Sequence, residues 1–386
     1  MTRTFHKTPS PAQRMSGMSL MEILIAMAIG LIGIVVITQT YLVNENYKRS
    51  TVSAGGAQTN GALALFSIER DARMGGWGMA WSTVLGCAGI QWHYNGDYSN
   101  PPGGPLPTLA PNPIVIVDGG VNPDTVTIAY GTGTERVIPA SLSKTMATPG
   151  EDLEVDNPQG FSYDPGDLVL LVQGSTCSMV QITFVEAPAS KLVHGAAVTA
   201  PYNPAGGGTL PVFAAGAQVF NLGRPVVNTY SIAQGRLQVA SLFTAPSSTV
   251  VPAYTPAPIA IVDHIVDLQA EYGKDNGLGN GTVAAAVYTA NDGTVDRYDN
   301  VPPANAIEWQ QVLSVRIGVL ARSEHYVKPD APGAPCTATT VAPTWANGQA
   351  FTAMGDFTDT ANEARCYGYR TFETIIPLRN MIWRQG

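Results

Sequence analysis

The longest apolar stretch of the chain lies near its amino terminus. Residues 23–43 carry no charged side chain, and Glu22 stands directly before them. A helix rises about 1.5 Å per residue, so this stretch is long enough to cross a hydrocarbon core of about 30 Å. The pattern predicts a membrane-spanning helix with a carboxylate at one end, where an uncompensated charge costs free energy.

The helical pattern continues beyond the apolar stretch. No proline occurs between Pro11 and Pro101, and the pair Gly55-Gly56 is the first signal that would interrupt a helix. Beyond that pair, apolar residues recur at helical spacing, and Glu69 lies four residues before Arg73 as a supporting ion pair. The recurring positions are Ala62, Leu65, Ile68 and Ala72. We predict a membrane-spanning half-helix at residues 18–43 and an amphipathic half at residues 44–76.

Residues 77–386 alternate short β-branched runs with turn residues, which is typical of an antiparallel sheet. The runs predict strands at residues 125–130, 168–172, 179–185, 312–320 and 371–378. Stretches rich in Pro and Gly predict surface loops at residues 94–123 and 201–211. The predicted fold class is α+β, with a long amino-terminal helix packed on an antiparallel sheet that carries loop-rich insertions.

Charge limits the classes of partner and sets the expected orientation. Charged residues make up 13% of the chain, the formal net charge is −8, and no basic cluster occurs, so nucleic acid is not an expected partner. The segment before the apolar stretch holds Arg3, Lys7 and Arg14 and no acid. By the positive-inside rule, these residues hold the amino terminus in the cytoplasm and leave residues 77–386 in the periplasm.

The leader and the apolar stretch together resemble the class III signal of type IV prepilins. Gly17 follows the basic leader, and Glu22 lies five residues after it. The resemblance implies that a prepilin peptidase removes residues 1–17 by cleavage after Gly17. It also implies N-methylation of Met18 and pairing of Glu22 with the amino terminus of a neighbouring subunit during assembly.

Further segments resemble PilW-type minor pilins, in the same order along the chain. They are residues 60–65, 70–77, 166–177, 266–273, 315–317 and 369–380. The resemblance implies a pilin-like fold and a structural subunit that helps to prime or cap a type IV pilus, not an enzyme. It implies insertion in the inner membrane by a single pass, followed by a place in the pilus at the cell surface. Other minor pilins, the major pilin, the prepilin peptidase and the inner-membrane assembly platform are the implied partners.

Four cysteines would face an oxidising periplasm in this topology. They contain no C-x-x-C motif, which favours disulfides over a zinc site. Three pairings remain open on sequence alone. We favour Cys87 with Cys177 and Cys336 with Cys366, because the second pair would restrain a Pro- and Thr-rich segment of low hydrophobic content.

Carboxylates and amides gather around glycines near residue 290. The candidate ligands for Ca²⁺, which prefers oxygen, are Asp275, Asn291, Asp292 and Asp296. The spacing of an EF-hand is not met, and a solvated β-turn explains the same residues. Apart from this Ca²⁺ no cofactor is expected.

Motifs for catalysis are weak. The histidines are isolated, no G-x-S-x-G motif occurs, and Ser141-x-x-Lys144 lacks the companion motifs of penicillin-recognising enzymes. Three other functions stay open. They are a J-type minor pseudopilin of type II secretion, a calcium-dependent tip adhesin that uses a loop of Trp92, His93 and Tyr94, and an unprocessed membrane protein that keeps residues 1–17.

Overall fold

The computed structural model describes residues 19–93, 109–133, 138–156, 163–186, 190–195, 200–203, 210–243, 257–277, 290–329, 331, 333–346 and 348–382. The chain forms two compact units, Met1–Ser53 and Ala54–Gly386. Gly17, Met18 and Tyr94 lie outside the described residues.

Helix α1 extends over Leu20–Met74 without interruption. The break signal at Gly55-Gly56 does not end the helix, because a helix tolerates glycine at a cost of about 1 kcal/mol per residue. In the described part of the chain, three short helices follow, α2 (Ser82–Leu85), α3 (Ala306–Gln310) and α4 (Arg379–Ile382). Described 3-10 turns lie at Thr352–Met354 and Glu363–Cys366.

The buried face of α1 in the second unit is narrow and made of small residues. Ala57, Ala64, Ile68 and Ala72 are buried, and Gly61 lies so close to the ring of Phe372 that a Cβ atom would overlap it. Among the positions predicted to be apolar and buried, Ala62 is exposed and Leu65 is only half-buried. The small side chains let the helix backbone approach the sheets closely.

The remaining described elements are strands. In chain order they are β1 (Ile90–Gln91), β2 (Ile114–Val117), β3 (Thr125–Tyr130), β4 (Ala140–Leu142), β5 (Leu153–Asp156), β6 (Leu168–Gln173), β7 (Thr176–Gln181), β8 (Phe184–Glu186), β9 (Lys191–Val193), β10 (Gln218–Gly223), β11 (Val226–Ala233), β12 (Arg236–Ser241), β13 (Ile259–Asp263), β14 (Ile265–Lys274), β15 (Arg297–Asp299), β16 (Val312–Arg322), β17 (Thr344–Trp345), β18 (Gln349–Ala350) and β19 (Tyr369–Pro377).

These strands form four sheets. The eight-stranded sheet has the order β1-β7-β6-β10-β4-β5-β9-β8, and the five-stranded sheet has the order β13-β12-β11-β3-β2. The four-stranded sheet has the order β15-β14-β16-β19, and β17 pairs with β18. All described pairs are antiparallel except that of β1 with β7.

The predicted strands are found, with two changes. Residues 179–185 divide between β7 and β8, and residues 114–117 form β2 inside a stretch that was predicted to be a loop. Ile114 and Ile116 of β2 are buried in a cluster with α1 and the five- and four-stranded sheets. Burial of these two side chains stabilises a strand in a neighbourhood whose Pro and Gly content predicts none. The fold class α+β with a long helix and antiparallel sheets is confirmed, and it is consistent with a pilin-like fold.

Candidate functional site

The first part of α1 has the composition of a membrane span. An 18-residue window in this helix has a mean hydropathy of 2.8, and none of that window is buried by the chain itself. The segment qualifies by length and composition, which an apolar signal sequence near an amino terminus would also do. Its exposed aliphatic side chains include Leu24, Leu31 and Ile37. Such a surface requires an apolar environment, which a bilayer or other apolar helices provide.

Glu22 takes part in the amino-terminal cap of α1. The backbone N–H of Ser19 donates to Glu22 Oε2 over 3.1 Å, and the backbone N–H of Glu22 donates to Ser19 Oγ over 3.3 Å. This reciprocal pair is a capping box, which satisfies two backbone donors that the first turn of a helix leaves open. The Ser19-x-x-Glu22 spacing is visible in the sequence, although the prediction for Glu22 rested on its charge and on its place five residues after Gly17.

Asp71 links the last turns of α1 to the five-stranded sheet by side-chain hydrogen bonds. Its side chain is 1% exposed, and its Oδ2 atom accepts hydrogen bonds from Tyr230 Oη at 2.7 Å and from Asn228 Nδ2 at 2.6 Å. Arg70, which is exposed, lies 3.3 Å from Asp71 Oδ1. Burial and the hydrogen bond to the Asp71 carboxylate raise the pKa of Tyr230, so this hydroxyl stays a donor. Hydrogen bonds to a charged acceptor are roughly twice as strong as neutral ones.

The carboxyl-terminal end of α1 is held by distant residues. Gly76 adopts a φ of +80° directly after the helix, and its N–H donates to Ala129 O over 2.9 Å. Asn380 Nδ2 donates to the carbonyl oxygens of Met74 at 3.1 Å and Gly75 at 3.0 Å. Met74 O also accepts a hydrogen bond from Trp77 N at 3.1 Å, and these bonds together satisfy carbonyls that have no partner within the helix. Asn380 thus caps the carboxyl-terminal end of α1.

Asp124 joins the five-stranded sheet to the four-stranded sheet. Its Oδ2 atom accepts a hydrogen bond from Ala270 N at 2.8 Å, and its Oδ1 atom accepts one from Gly119 N at 2.9 Å. Its own N–H donates to Leu268 O over 2.7 Å. Burial is the largest influence on this carboxyl group, and its pKa rises to about 6.

Both disulfides are present in the pairing that the sequence analysis favours. Cys87 is joined to Cys177 across 90 residues of sequence, and Cys336 is joined to Cys366 across 30 residues. The first links the segment after α2 to β7 of the eight-stranded sheet. The second closes the segment between β16 and β19.

The candidate calcium ligands use their oxygens within the chain. Asp275 is fully buried and accepts hydrogen bonds from the backbone N–H groups of Asn291 at 2.6 Å and Gly293 at 2.7 Å. Asp296 accepts one from Gly277 N at 2.7 Å, and Asp292 accepts one from Thr294 N at 2.8 Å. Among the described residues, no group of three or more His, Cys, Asp or Glu side chains is arranged to hold a metal ion. The structure brings the four residues to one loop base, and calcium binding stays a prediction.

The other candidate residues occupy structural positions. Trp92 and His93 are buried, at 2% and 0% exposure, and the Trp92 ring meets the Phe243 ring with centroids 5.4 Å apart, so these two side chains do not form a surface loop. Burial lowers the pKa of His93 to about 3. Lys144 forms ion pairs with Glu151 and Glu154, at 3.0 and 3.4 Å.

These features define a class of protein, namely an α+β protein with one long helix that is apolar at its amino-terminal end and packs on antiparallel sheets at its other end. Residues 229–380 match the family model described as "PilW: Type IV Pilus-assembly protein W". This match supports a PilW-type type IV pilus protein over residues 229–380. Comparisons with curated proteins and with solved structures gave no match.

Proposed function

We propose that the chain is a minor type IV pilin, made as a prepilin with a leader at residues 1–17. Cleavage after Gly17 and N-methylation of Met18 release a subunit that stays in the inner membrane through its apolar segment. Its periplasmic head then joins other minor pilins and the major pilin on the inner-membrane platform, where the subunit primes or caps the pilus. In this role it serves twitching motility and cell adhesion.

The proposal rests on one observation: the amino-terminal end of α1 is apolar and unburied, whereas its carboxyl-terminal end is bonded to the rest of the chain. At the amino-terminal end α1 is apolar, and the window tested as a membrane span is unburied within the chain. At the other end it is fastened by Asp71 and Asn380. A helix of this kind can pack its free apolar end against other helices while the sheets remain fixed at its far end. The family match supports a pilus as the assembly.

Glu22 has a second role in the proposal. A carboxylate at the bilayer centre costs about 2.5 to 3.5 kcal/mol, and a cationic partner offsets part of that cost. The methylated amino group of Met18 in a neighbouring subunit is the partner that we propose. Within one chain, the same carboxylate caps the helix through the N–H of Ser19.

The test of processing is mass spectrometry of the chain from its native membrane, with and without the prepilin peptidase. We expect a mature terminus at N-methylated Met18 that depends on the peptidase. A chain that keeps residues 1–17 while pili form normally would contradict the proposal. Loss of pili on deletion, with type II secretion unchanged, would separate the pilus role from that of a pseudopilin.

The role of Glu22 is tested by two matched variants. Glu22→Gln keeps a side chain that can complete the capping box, whereas Glu22→Ala removes both the cap and the charge. If charge pairing drives assembly, both variants lose incorporation into pili, and Ser19→Ala, which removes only the hydroxyl of the cap, keeps it. Normal incorporation of Glu22→Gln would show that the charge is not needed.

A further inference from the structure

The two disulfides lie in different surroundings, although all four cysteines are at most 8% exposed. Cys87 and Cys177 belong to an apolar cluster of the eight-stranded sheet, and Cys177 is in β7, which has a paired strand on each side. Cys336 and Cys366 belong to none of the apolar clusters of the described residues, and both line an open cleft of about 300 Å³. The second disulfide thus borders a space that solvent enters, whereas the first is packed among apolar side chains.

The cleft lies between the two segments that the Cys336–Cys366 disulfide joins. Its described lining residues come from residues 326–336 and 360–366. Among them Pro335, Ala361 and Glu363 are exposed, so the cleft opens to solvent. Sites for small molecules have volumes from about 300 Å³ upward, so a thiol of a few heavy atoms fits this cleft. Access of a thiolate to a sulfur atom is one of the factors that set the rate of disulfide exchange.

The segment that carries this disulfide is held to the four-stranded sheet by other bonds as well. On either side of the segment, β16 and β19 pair over nine consecutive residue pairs. Within it, the N–H of Val327 donates to Cys366 O over 2.8 Å, and the hydroxyl of Thr339 donates to Tyr367 O over 2.6 Å. None of these hydrogen bonds requires the S–S bond. We therefore expect the sheet to stay folded, and the two cysteines to stay close together, when the disulfide is reduced.

We propose that Cys336–Cys366 is a site of thiol–disulfide exchange, which a dithiol reduces reversibly through the cleft while the chain stays folded. One thiolate of the dithiol bonds to a sulfur atom of the pair, the S–S bond breaks, and the other cysteine leaves as a thiolate that takes a proton. The second thiolate of the dithiol then displaces the first cysteine, which also takes a proton. Two electrons pass to the protein, and the dithiol becomes a disulfide. The exchange requires the folded chain only, and not its role in a pilus.

The first test compares the two disulfides in the folded full-length chain, in detergent, with dithiothreitol as the dithiol. Free thiols are alkylated at intervals and located by peptide mass spectrometry. We expect Cys336–Cys366 to be reduced at least about tenfold faster than Cys87–Cys177, since a packed disulfide is reached only when the chain opens. Urea below the unfolding transition should accelerate reduction of Cys87–Cys177 only. Equal rates, or equal acceleration of both by urea, overturn the proposal.

A matched pair of tryptophan variants tests the cleft as the route of attack. Ala361→Trp places a large ring in the cleft, whereas Val341→Trp places the same ring outside it, at a position that is 76% exposed. We expect Ala361→Trp to slow reduction of Cys336–Cys366 about fivefold at an unchanged melting temperature, and Val341→Trp to leave the rate unchanged. An unchanged rate in folded Ala361→Trp overturns the proposal. If Ala361→Trp does not fold, the comparison of the two disulfides in the unchanged chain decides.

Reoxidation and a second dithiol complete the test. After dithiothreitol is removed, oxidised glutathione should restore Cys336–Cys366 in the folded chain, and failure to restore it contradicts a reversible exchange. Thioredoxin, which carries its dithiol in a C-x-x-C motif, distinguishes the source of the reductant. Reduction by thioredoxin and dithiothreitol assigns the site to protein dithiols, and reduction by dithiothreitol alone assigns it to small ones. Reduction of Cys336–Cys366 by neither, while the chain is folded, overturns the proposal.

Discussion

The region around α1 and the region of the eight-stranded sheet are stabilised by different interactions. In the described residues, every buried carboxylate lies on α1 or in the five- and four-stranded sheets and their loops. These carboxylates are Asp71, Asp124, Asp267, Glu271, Asp275 and Asp296. The described residues of β1 and β4–β10 bury none, and they contribute to two apolar clusters, one of which contains the Cys87–Cys177 disulfide.

This difference follows the contacts that each region makes. The first region, which we call the helix-bearing region, consists of residues 54–74 with the five- and four-stranded sheets. Its carboxylates accept hydrogen bonds between elements, as Asp71 does between α1 and β11. In the eight-stranded sheet, alternate residues of β6 enter two separate apolar clusters, with Leu170 in one and Leu171 in the other. Hydrogen bonds have preferred distances and angles, whereas the hydrophobic effect is non-directional.

The largest expected effect comes from the disulfide of the eight-stranded sheet. Cys87→Ala combined with Cys177→Ala opens a loop of 90 residues, and chain entropy predicts a loss of about 4 to 5 kcal/mol in the free energy of unfolding. The matched double variant at Cys336 and Cys366 opens a loop of 30 residues and should lose about 3 to 4 kcal/mol. Denaturant unfolding of the full chain in detergent measures both, and a reversed order would contradict the loop-length argument.

Removal of the Asp71 carboxylate should lower the stability of the helix-bearing region almost as much as loss of a disulfide lowers that of the chain. Asp71→Ala leaves the half-buried Asn228 amide without this acceptor and leaves the buried Tyr230 hydroxyl only Ser67 O at 3.2 Å, at an expected cost of about 3 kcal/mol. Asp71→Asn keeps one acceptor oxygen and should lose less. Amide hydrogen exchange in Asp71→Ala, compared with the unchanged chain, should accelerate more in β11 than in β6. Equal acceleration in both strands would show that the two regions unfold as one.

Long-range pairs of this kind explain what the sequence could and could not predict. The helix and most strands follow from local periodicity, and the Ser19-x-x-Glu22 cap is a local signal. Asp71 and Tyr230 are 159 residues apart, and Asn380 lies 306 residues from Met74, so no local pattern connects them. The buried face of α1 was misplaced at Ala62 because the face is set by how closely Gly61 approaches Phe372. The strand order of the eight-stranded sheet likewise depends on contacts that no spacing encodes.

In the helix-bearing region stability should fall as the pH rises through the pKa of Asp124, whereas the lowered pKa of His93, beside β1, makes stability rise with pH between about 3 and 6.5. The folded-state pKa of Asp124 is about 6, above its ordinary value of 3.8, so this group stabilises the fold fully below pH 4 and loses that contribution as the pH rises through 6. At about 1.4 kcal/mol per pKa unit, the contribution of Asp124 to the free energy of unfolding falls by about 2 to 3 kcal/mol. Because His93 contributes equally to both proteins, the free energy of unfolding of Asp124→Asn relative to that of the unchanged chain should rise by this amount between pH 4 and 7. Burial also raises the pKa of Asp267, which therefore leaves part of the decline in the variant.

The smallest effect tests the contact between α1 and β19, and its sign is informative. Gly61→Ala places a methyl group into the ring of Phe372, and overpacking of this kind costs about 1 to 3 kcal/mol, of which helix propensity returns about 1. Gly56→Ala lies on the same helix with nothing within 4 Å of its Cβ atom, and it should stabilise the chain by up to about 1 kcal/mol. Thermal unfolding of the two variants should therefore shift in opposite directions. Stabilisation by both alanines would mean that Phe372 can move away, and that α1 is held to the sheets by its Asp71 and Asn380 hydrogen bonds more than by close packing.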